Sequence, residues 1–475
     1  MKYHARVSRG GRIELALMLL ICLSACAPVG PDYTPPAAPS PATWNTPLQG
    51  GLQQGPADPG LAAWWRVFQD PVLAGLVEKA AGANLDVSQA RARVQEARAR
   101  RGLRETERYP AADASATASR SGSGSRETRL YSVGFDAGWE IDIFGGVRRS
   151  IEAAEGELAA TEAGLADVMV TLAAEIGRNY MEARTLQRRL HVARANLAVQ
   201  EETYTLTRLR DEAGLGDALA VQQALSNLEA TRSQIPLLED SLAASFNRLA
   251  VLTGEMPGAL DDLLAEVRPV PAVTPAVTVD IPAETLRRRP DVRQAERLLA
   301  SQTARIGIAE ADLYPRLRLA GALGLSAVNT NDLADWASRT WSLGPSLSWR
   351  IFDAGAVRQN IRIQTAVQAQ ALAAYEAAVL GALEEAENAL SAYVQAQVRC
   401  VHLAEAAAAA AEAEFLARHK YEAGLADFSN VLDAQRTLLS YQDQLAAGRG
   451  TVAAHLIALY KALGGGWALA PAAVG

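Results

Sequence analysis

Cysteine is scarce in this sequence, with three residues in a chain of 475. Cys22 lies in an apolar run that we expect to be removed, Cys26 ends the same region, and Cys400 has no partner. These positions exclude a disulfide framework, even for an exported protein. We expect Cys400 to be a small buried apolar residue.

Groups that carry catalysis are also few. The five histidines show no metal-ligand spacing, no nucleophile–base pair can be argued, and no glycine-rich phosphate loop is present. We therefore expect no catalytic residue, no cofactor and no metal site, and the chain is not predicted to be an enzyme. The net charge of −7 argues against nucleic acid as a partner.

Aromatic residues make up only 6% of the chain, although apolar residues make up 49% and alanine is abundant. This composition does not suit a compact protein with a bulky core. The composition is typical of long helices that pack closely side by side.

The apolar run near the N-terminus is too short to span a bilayer. Leu15–Leu23 follows a basic start and has roughly nine residues, where a membrane helix needs about 20, so it predicts a secretory signal. The run ends in Leu23-Ser24-Ala25-Cys26, which resembles the bacterial lipoprotein cleavage box. We expect a signal peptide over 1–25, lipid on Cys26 and a proline-rich extended tether over 26–60. The alternative is a plain signal peptide with an incidental cysteine.

One short stretch occurs twice, at a spacing of 210 residues. Glu212-Ala213-Gly214-Leu215-Gly216-Asp217 returns as Glu422-Ala423-Gly424-Leu425-Ala426-Asp427. A glycine just past a helix end stops the helix, and an aspartate three residues later can cap the next one. Each copy therefore predicts the tip of a long helical hairpin.

The rest of the chain repeats with the same plan. Heptad-like apolar spacing predicts long helices that supercoil around neighbours, and Pro236 should kink or break one of them. Two strands precede each helical hairpin. The first repeat is predicted over 61–255, with a strand hairpin at about 112–144 and a helical hairpin over 146–253. A linker over 256–283 follows. The second repeat is predicted over 284–464, with a strand hairpin at about 316–352 and a helical hairpin over 355–463, and a tail covers 465–475.

The strands alternate strictly between apolar and polar residues. The apolar face includes Val133, Phe135, Trp139, Leu347 and Trp349. One interpretation is a small amphipathic sheet packed on the helices. The other is that this face contacts lipid, and that several chains, each with four strands, close one barrel, because only helices and closed barrels span a bilayer.

Several motifs resemble those of the TolC-like outer-membrane channel family, in its lipid-anchored NodT and OprM branch. The resemblance covers the chain that follows the predicted signal peptide, and it rests on Cys26 with Val29-Gly30-Pro31-Asp32-Tyr33, Trp64-Trp65 with Asp70-Pro71, Ile143-Phe144-Gly145-Gly146, Arg288-Arg289-Pro290-Asp291-Val292-Arg293 with Ala295-Glu296, and Ile351-Phe352-Asp353-Ala354-Gly355.

The resemblance implies a fold that is mainly α with a transmembrane β-barrel. It implies a homotrimer in which a twelve-stranded barrel in outer-membrane lipid continues into a twelve-helix periplasmic tunnel. The implied partners are a periplasmic adaptor and an inner-membrane pump, usually of the resistance–nodulation–division class. No cofactor is implied.

The resemblance also places a periplasmic gate near the tips. It puts the gate tyrosine at Tyr421, the inner ring aspartate at Asp433 and the other ring position at Asn430. The gate arginine position is Ala426 and the first-half aspartate position is Ala220, so the closed-state bonds must differ from the family's usual set. Asp433 has the alternative of a solvated helix position.

Four tip residues, Gly214, Leu215, Gly424 and Leu425, are predicted to contact the adaptor. Glycine fixes each turn, and leucine left at an exposed tip usually marks a docking surface. The predicted function is a passive exit duct for small toxic compounds or drugs. The alternatives are the outer-membrane duct of a type I protein secretion system and a periplasmic coiled-coil scaffold.

Overall fold

The computed structural model describes residues 28–37, 41–56, 59–271 and 277–466. The predicted signal peptide, Cys26 with its predicted lipid, and the tail beyond residue 466 lie outside these ranges. The fold is mainly α-helical with four long strands, as the sequence predicts.

The first repeat begins with a short strand and a 3₁₀ segment and then alternates helices with one strand pair. Its elements are β1 (Leu52–Gln54), the 3₁₀ segment Pro59–Phe68, α1 (Pro71–Ala83), α2 (Leu85–Thr106), β2 (Ala111–Ser123), β3 (Arg126–Ile141), α3 (Gly146–Glu212) and α4 (Ala218–Leu252).

The second repeat follows the same order after a connecting segment. The connection holds α5 (Asp261–Leu264) and β4 (Val277–Val279), and the repeat holds α6 (Pro282–Arg288), α7 (Pro290–Ala311), β5 (Arg316–Ala327), β6 (Arg339–Ser348), α8 (Ala356–Glu422) and α9 (Phe428–Ala462). The connecting segment, predicted to be without helical period, is thus partly ordered by α5 and by β4, which pairs in parallel with β1.

The two helical hairpins match each other in length. Helices α3 and α8 have 67 residues each, and α4 and α9 have 35 each. At 1.5 Å per residue, each long helix extends about 100 Å. The duplication predicted from the tip sequence therefore extends through both hairpins.

The four long strands form one antiparallel sheet in the order β2-β3-β5-β6. Its register aligns the apolar residues of neighbouring strands on one face, as in the row Phe135, Leu323 and Trp341. These three side chains are 65%, 63% and 78% exposed. The sheet thus has an apolar face that no described residue of the single chain covers.

The first strand pair is longer than the sequence predicts. The serine- and glycine-rich stretch Ser121–Ser125 predicts a loop, but the structure has only a tight turn at Gly124, whose φ of +62° suits glycine. Cross-strand bonds extend the pairing, since Arg120 donates to the carboxylate of Glu127 at 2.6 Å. The sequence does not predict these strand ends, because serine and glycine side chains give no alternation of apolar and polar residues.

Pro236 does not break its helix, contrary to one of the two expected outcomes. Helix α4 continues through this residue from Ala218 to Leu252. The proline ring lies on an exposed face. The carbonyl that loses its donor there can bind water, so the helix continues.

The chain divides into two compact units. One holds the sheet and comprises residues up to Ala37, Ala92–Glu162 and Gln294–Ala377; the other holds the hairpin tips and comprises Ala38–Arg91, Ala163–Arg293 and the residues from Ala378. The main hydrophobic core belongs to the second unit, where Trp64 stacks on Tyr460 with ring centroids 5.8 Å apart.

Close helix contact in the second unit depends on small residues. A Cβ on Gly450 of α9 would meet Oγ1 of Thr185 of α3 at 2.0 Å. Only glycine permits this approach, which fits a composition rich in small residues and poor in aromatics.

The proline-rich segment before residue 60 is extended, but it is held along the chain rather than free. In the sheet-bearing unit, the hydroxyl of Tyr33 donates to Glu296 at 3.3 Å. In the other unit, the amides of Asn45 and Thr46 donate to Glu387 at 2.6 and 3.1 Å. Hydrogen bonds to its own chain thus hold the described part of 26–60.

Cys400 is not buried as expected. Its side chain is half-buried and lines a surface groove together with Arg188 and Arg449. It lies on α8, which is the one helix of the described residues with a window long and apolar enough to cross a membrane by composition, and most of that window is unburied.

Candidate functional site

Both helical hairpins end in the same turn. The amide of Leu215 donates to the carbonyl of Arg210 at 2.8 Å, and the amide of Leu425 donates to that of Lys420 at 2.8 Å. Gly214 and Gly424 both have a φ of +71°. This left-handed conformation closes the helix end and is strained for any residue with a side chain, so glycine determines where each hairpin reverses.

The aspartates that follow the two turns behave differently. The carboxylate of Asp217 accepts from the amide of Leu219 at 3.0 Å, as a cap should. The side chain of Asp427 makes no capping bond, so that prediction is wrong. The first turn of α9 is instead held by Phe428, which is 8% exposed and packs on Tyr421.

The tips present leucine to solvent. Leu215 is 75% exposed and Leu425 is 79% exposed. Leu219, just inside the first tip, is 61% exposed. Exposed leucines on neighbouring turns form an apolar surface of the kind that binds a partner.

Tyr421, the predicted gate tyrosine, lies between the two hairpins. The guanidinium carbon of Arg210, on the opposite hairpin, is 4.9 Å from the centroid of its ring. The centroid of the Phe428 ring is 5.2 Å from that of Tyr421. Tyr421 therefore takes part in a cation–π contact that ties α3 to α8 at the tips.

An apolar cluster backs this contact. Phe428, Val431 and Leu432 of α9 are buried together with Ala224 of α4. Ala220 borders the cluster, so the position that lacks the family's gate aspartate has an apolar environment.

Asn430 and Asp433, the predicted ring residues, are not drawn into this cluster. Both side chains are exposed on α9, and within the described chain neither has a hydrogen-bond or ion-pair partner. The structure thus separates the predicted gate set into a half-buried tyrosine and two solvent-facing polar residues.

Above the tips, polar side chains join the hairpins in pairs. Gln435 donates to the hydroxyl of Thr203 at 3.0 Å, and Arg436 donates to Asn227 at 3.0 Å. Gln435 and Asn227 are 3% and 4% exposed, and each keeps one side-chain atom without a partner. Buried polar residues within an otherwise apolar seam favour one alignment of the two hairpins.

A stronger pair lies farther from the tips. Arg189 binds the carboxylate of Asp443 with both Nε and Nη2, at 2.7 and 3.0 Å. The sequence analysis does not predict this ion pair or the contact of Arg210 with Tyr421, because the heptad spacing identifies only the apolar residues of the seam. Polar residues at seam positions, such as Thr203 and Asn227, were the available signal.

No group of three His, Cys, Asp or Glu residues is placed to hold a metal ion anywhere in the described ranges. What the region can do is mechanical. Two hairpins are tied by a few polar and aromatic contacts that can separate without unfolding a helix.

Comparisons with known proteins agree on one family. The family model described as "Outer membrane efflux protein" matches residues 76–255 and 281–465. Nodulation protein T of Rhizobium leguminosarum bv. trifolii is 34% identical over 455 residues, which cover 94% of this chain and 96% of that protein. Toluene efflux pump outer membrane protein TtgI of Pseudomonas putida is 30% identical over 477 residues, covering 96% and 98%.

A solved structure gives the same result for the fold. The structure of the outer-membrane channel OprN superimposes with a TM-score of 0.87 at 38% identity, and the match covers 92% of this chain and 99% of that one.

Proposed function

The chain belongs to the outer membrane efflux protein family, and on that premise we propose that it is the exit duct for small toxic compounds. It is the outer-membrane channel component of a tripartite efflux system, it extends into the periplasm, and it is not an enzyme. Like its family, it trimerises and works with a periplasmic adaptor and an inner-membrane pump.

The observation that carries this function is the uncovered apolar face of the sheet, in a chain whose helices extend about 100 Å. A sheet of four strands has two edges with unpaired backbone N–H and C=O groups, and lipid offers these groups no hydrogen-bond partners. Three copies supply twelve strands, which close a barrel with the apolar face toward lipid. The helical hairpins then enclose a tunnel in the periplasm.

The proposed cargo is apolar or amphiphilic and small. The name of the relative TtgI links that protein to toluene efflux. A tunnel of this kind does not select cargo as a pocket does, so selection falls to the pump. We assign a pump of the resistance–nodulation–division class, and lipid on Cys26 as the membrane anchor.

The gate proposal concerns the contacts between the hairpins near the tips. In the closed duct, Arg210 on Tyr421 and Arg436 on Asn227 hold α8 and α9 against α3 and α4. Opening breaks these contacts and moves the second hairpin outward. In the closed state, the cation–π pair replaces the gate bonds that the resemblance to the family implies, because Ala220 and Ala426 cannot make them.

Asp433 and Asn430 are proposed to line the narrow mouth of the trimer. Three copies of Asp433 around one axis concentrate negative potential there and favour cations. Asp433→Asn is expected to lower cation selectivity in planar bilayers, with Asp427→Asn as the control at an exposed tip carboxylate. Unchanged selectivity in Asp433→Asn would rule out this role.

The tips are proposed to dock the adaptor through Gly214, Leu215, Gly424 and Leu425. The test of the proposed function uses a strain that lacks its own duct and receives this chain with its pump and adaptor. The wild-type chain should lower accumulation of a fluorescent apolar dye, and Leu215→Asp with Leu425→Asp should abolish that effect while the trimer still forms. Unchanged dye accumulation together with export of a large protein would favour type I secretion instead.

A further inference from the structure

A surface groove, which we call the hairpin groove, lies where the two helical hairpins meet the connecting segment. It is lined by Phe68, by residues 267–271 and by parts of α3, α8 and α9, all in the unit that holds the hairpin tips. Its volume is about 870 Å³, which is within the range of cavities that bind small molecules. The groove that Cys400 lines is therefore large enough to hold a ligand.

Small and branched apolar side chains form the floor of the hairpin groove. Cys400, Val401 and Ala404 line it from α8, and Ala446 and Val452 line it from α9. Val401 is 57% exposed and Cys400 is half-buried, so part of this apolar surface meets water. A ligand with an apolar part would remove that surface from water, which is favourable.

The wall that the connecting segment supplies is fixed by buried polar side chains of α3. Gln187 donates to the carbonyl of Leu264 at 2.7 Å, and Arg184 donates to the carbonyl of Glu266 at 2.6 Å. Gln187 and Arg184 are 4% and 1% exposed. Pro269 then restricts the backbone of the wall itself. A wall that is already ordered costs little further entropy when a ligand binds.

The charge of the hairpin groove has one sign. Three arginines, Arg188, Arg268 and Arg449, line it, and its described lining contains no acidic residue, although the chain as a whole carries a net charge of −7. Arg268 pairs with Glu266 at 2.5 Å. Arg188 and Arg449 are exposed, and neither has a hydrogen bond or ion pair with a described residue. Two positive charges beside an apolar floor are thus left for an outside partner.

We propose that the hairpin groove binds a small amphiphilic anion, such as a medium-chain fatty acid. The guanidinium groups of Arg188 and Arg449 pair with the acid group, because their planar donors match a carboxylate. The apolar chain of the ligand lies along the floor that Val401 and Ala404 help to form. A neutral or cationic amphiphile would find the same floor without a charge partner. This binding does not depend on whether the chain exports such compounds.

A ligand at this position contacts both hairpins. Arg188 belongs to α3 of the first hairpin, and Arg449 belongs to α9 of the second. A ligand shifts an equilibrium toward the conformation that it binds more tightly. The bound anion therefore favours the arrangement in which the two hairpins lie together.

The thiol of Cys400 reports directly on occupancy, because it lies in the groove. The full-length trimer in lipid nanodiscs is treated with N-ethylmaleimide, a neutral thiol reagent, and peptide mass spectrometry measures the alkylation rate of Cys400. Saturating decanoate should slow this rate about fivefold or more, since the reaction needs an accessible thiol. Decyltrimethylammonium, which has the same chain with a positive head group, should leave the rate nearly unchanged.

The two unpaired arginines test the recognition of the acid group. Arg188→Gln and Arg449→Gln should each raise the decanoate concentration for half-maximal protection about fivefold or more, since each removes charge-assisted hydrogen bonds. Protection is the ratio of the rates with and without decanoate, so a changed reactivity of the thiol itself cancels. Arg178→Gln is the matched control and should change nothing, because Arg178 is an exposed arginine of α3 that does not line the groove.

Three results would overturn the proposal. Absent protection by decanoate, or equal protection by decyltrimethylammonium, would show that no anion is recognised. Unchanged protection in both Arg188→Gln and Arg449→Gln would show that decanoate binds elsewhere. An unreactive Cys400 in the unliganded trimer would show that a neighbouring copy covers the groove. Dye accumulation in cells is a separate readout, so failure of the export proposal leaves these results unaffected.

Discussion

Arg210 and Tyr421 show how a single pair can hold two elements together. The guanidinium lies 4.9 Å from the ring centroid, and both side chains are half-buried beside an apolar cluster. A cation–π contact in such partly desolvated surroundings contributes on the order of 1 kcal/mol. Three copies in a trimer multiply that contribution, so the pair is suited to a closed state that a partner can still open.

Replacing Arg210 should favour the open state. Arg210→Ala is expected to raise open probability or mean conductance in planar bilayers several-fold, since about 1 kcal/mol per chain is lost. Arg208→Ala is the matched control, because Arg208 pairs with Glu212 on its own helix at 3.5 Å. Conductance that rises equally in both variants, or in neither, would contradict the tie.

Asp167 predicts a pH effect on stability. Burial raises the pKa of Asp167 above its ordinary value of 3.8, and the neighbouring carboxylates of Asp291 and Glu385 raise it further. The native state therefore binds this proton more tightly than the unfolded state. The stability it contributes is complete below about pH 4 and is lost as pH rises through the raised pKa. Asp167→Asn should be more stable than wild type at pH 7, because it removes a charge that the folded state disfavours.

Asp291 supplies a control of opposite sign. Burial alone would raise the pKa of Asp291, but the hydrogen bonds and charge of Arg289 lower it below its ordinary value. Its stabilisation is present above that ordinary value and is lost as pH falls through the lowered pKa, so Asp291→Asn should lose stability at pH 7. Urea unfolding of both variants at pH 7, and of Asp167→Asn also at pH 4, measures the two effects. Destabilisation of Asp167→Asn at pH 7 would contradict the assignment.

At the scale of elements, most helix and strand positions were predicted from glycine positions and from the alternation of apolar and polar residues. Gly214 and Gly424 located both hairpin tips because a φ of +71° leaves few other choices. The ends of β2 and the fate of Pro236 depended on cross-strand pairing and on which face meets water, which no local pattern encodes. The missing cap at Asp427 has the same origin, because burial of Phe428 replaced it.

The apolar face of the sheet predicts the effect of a charge there. Phe135→Arg should reduce the yield of membrane-inserted trimer strongly, since a basic residue facing the middle of a bilayer costs about 2–4 kcal/mol. Ser132→Arg places the same charge on the opposite face of β3 and should be tolerated. Extraction of membranes with urea, followed by quantification of trimer, measures both. Similar yields for the two variants would show that the face does not meet lipid.

At the scale of the whole molecule, duplication explains both the symmetry and its limits. Each repeat supplies two strands and one helical hairpin, and the long helices have equal length at 67 residues. The repeats differ at the tips, where Arg210 faces Tyr421 and only Asp217 caps its helix. Sequence motifs could predict the fold because glycine, proline and alternation recur in both halves. They could not predict which side chains meet between the hairpins, since those contacts depend on packing across some 200 residues of sequence separation.

Electron-microscope imaging of the detergent-extracted, membrane-derived protein, with its mass determined, tests the central claim most directly. The account predicts a threefold particle whose mass is that of three chains and whose hollow shaft is on the order of 100 Å long, as the helix lengths require. A monomer, or a solid rod without a barrel at one end, would contradict an export duct.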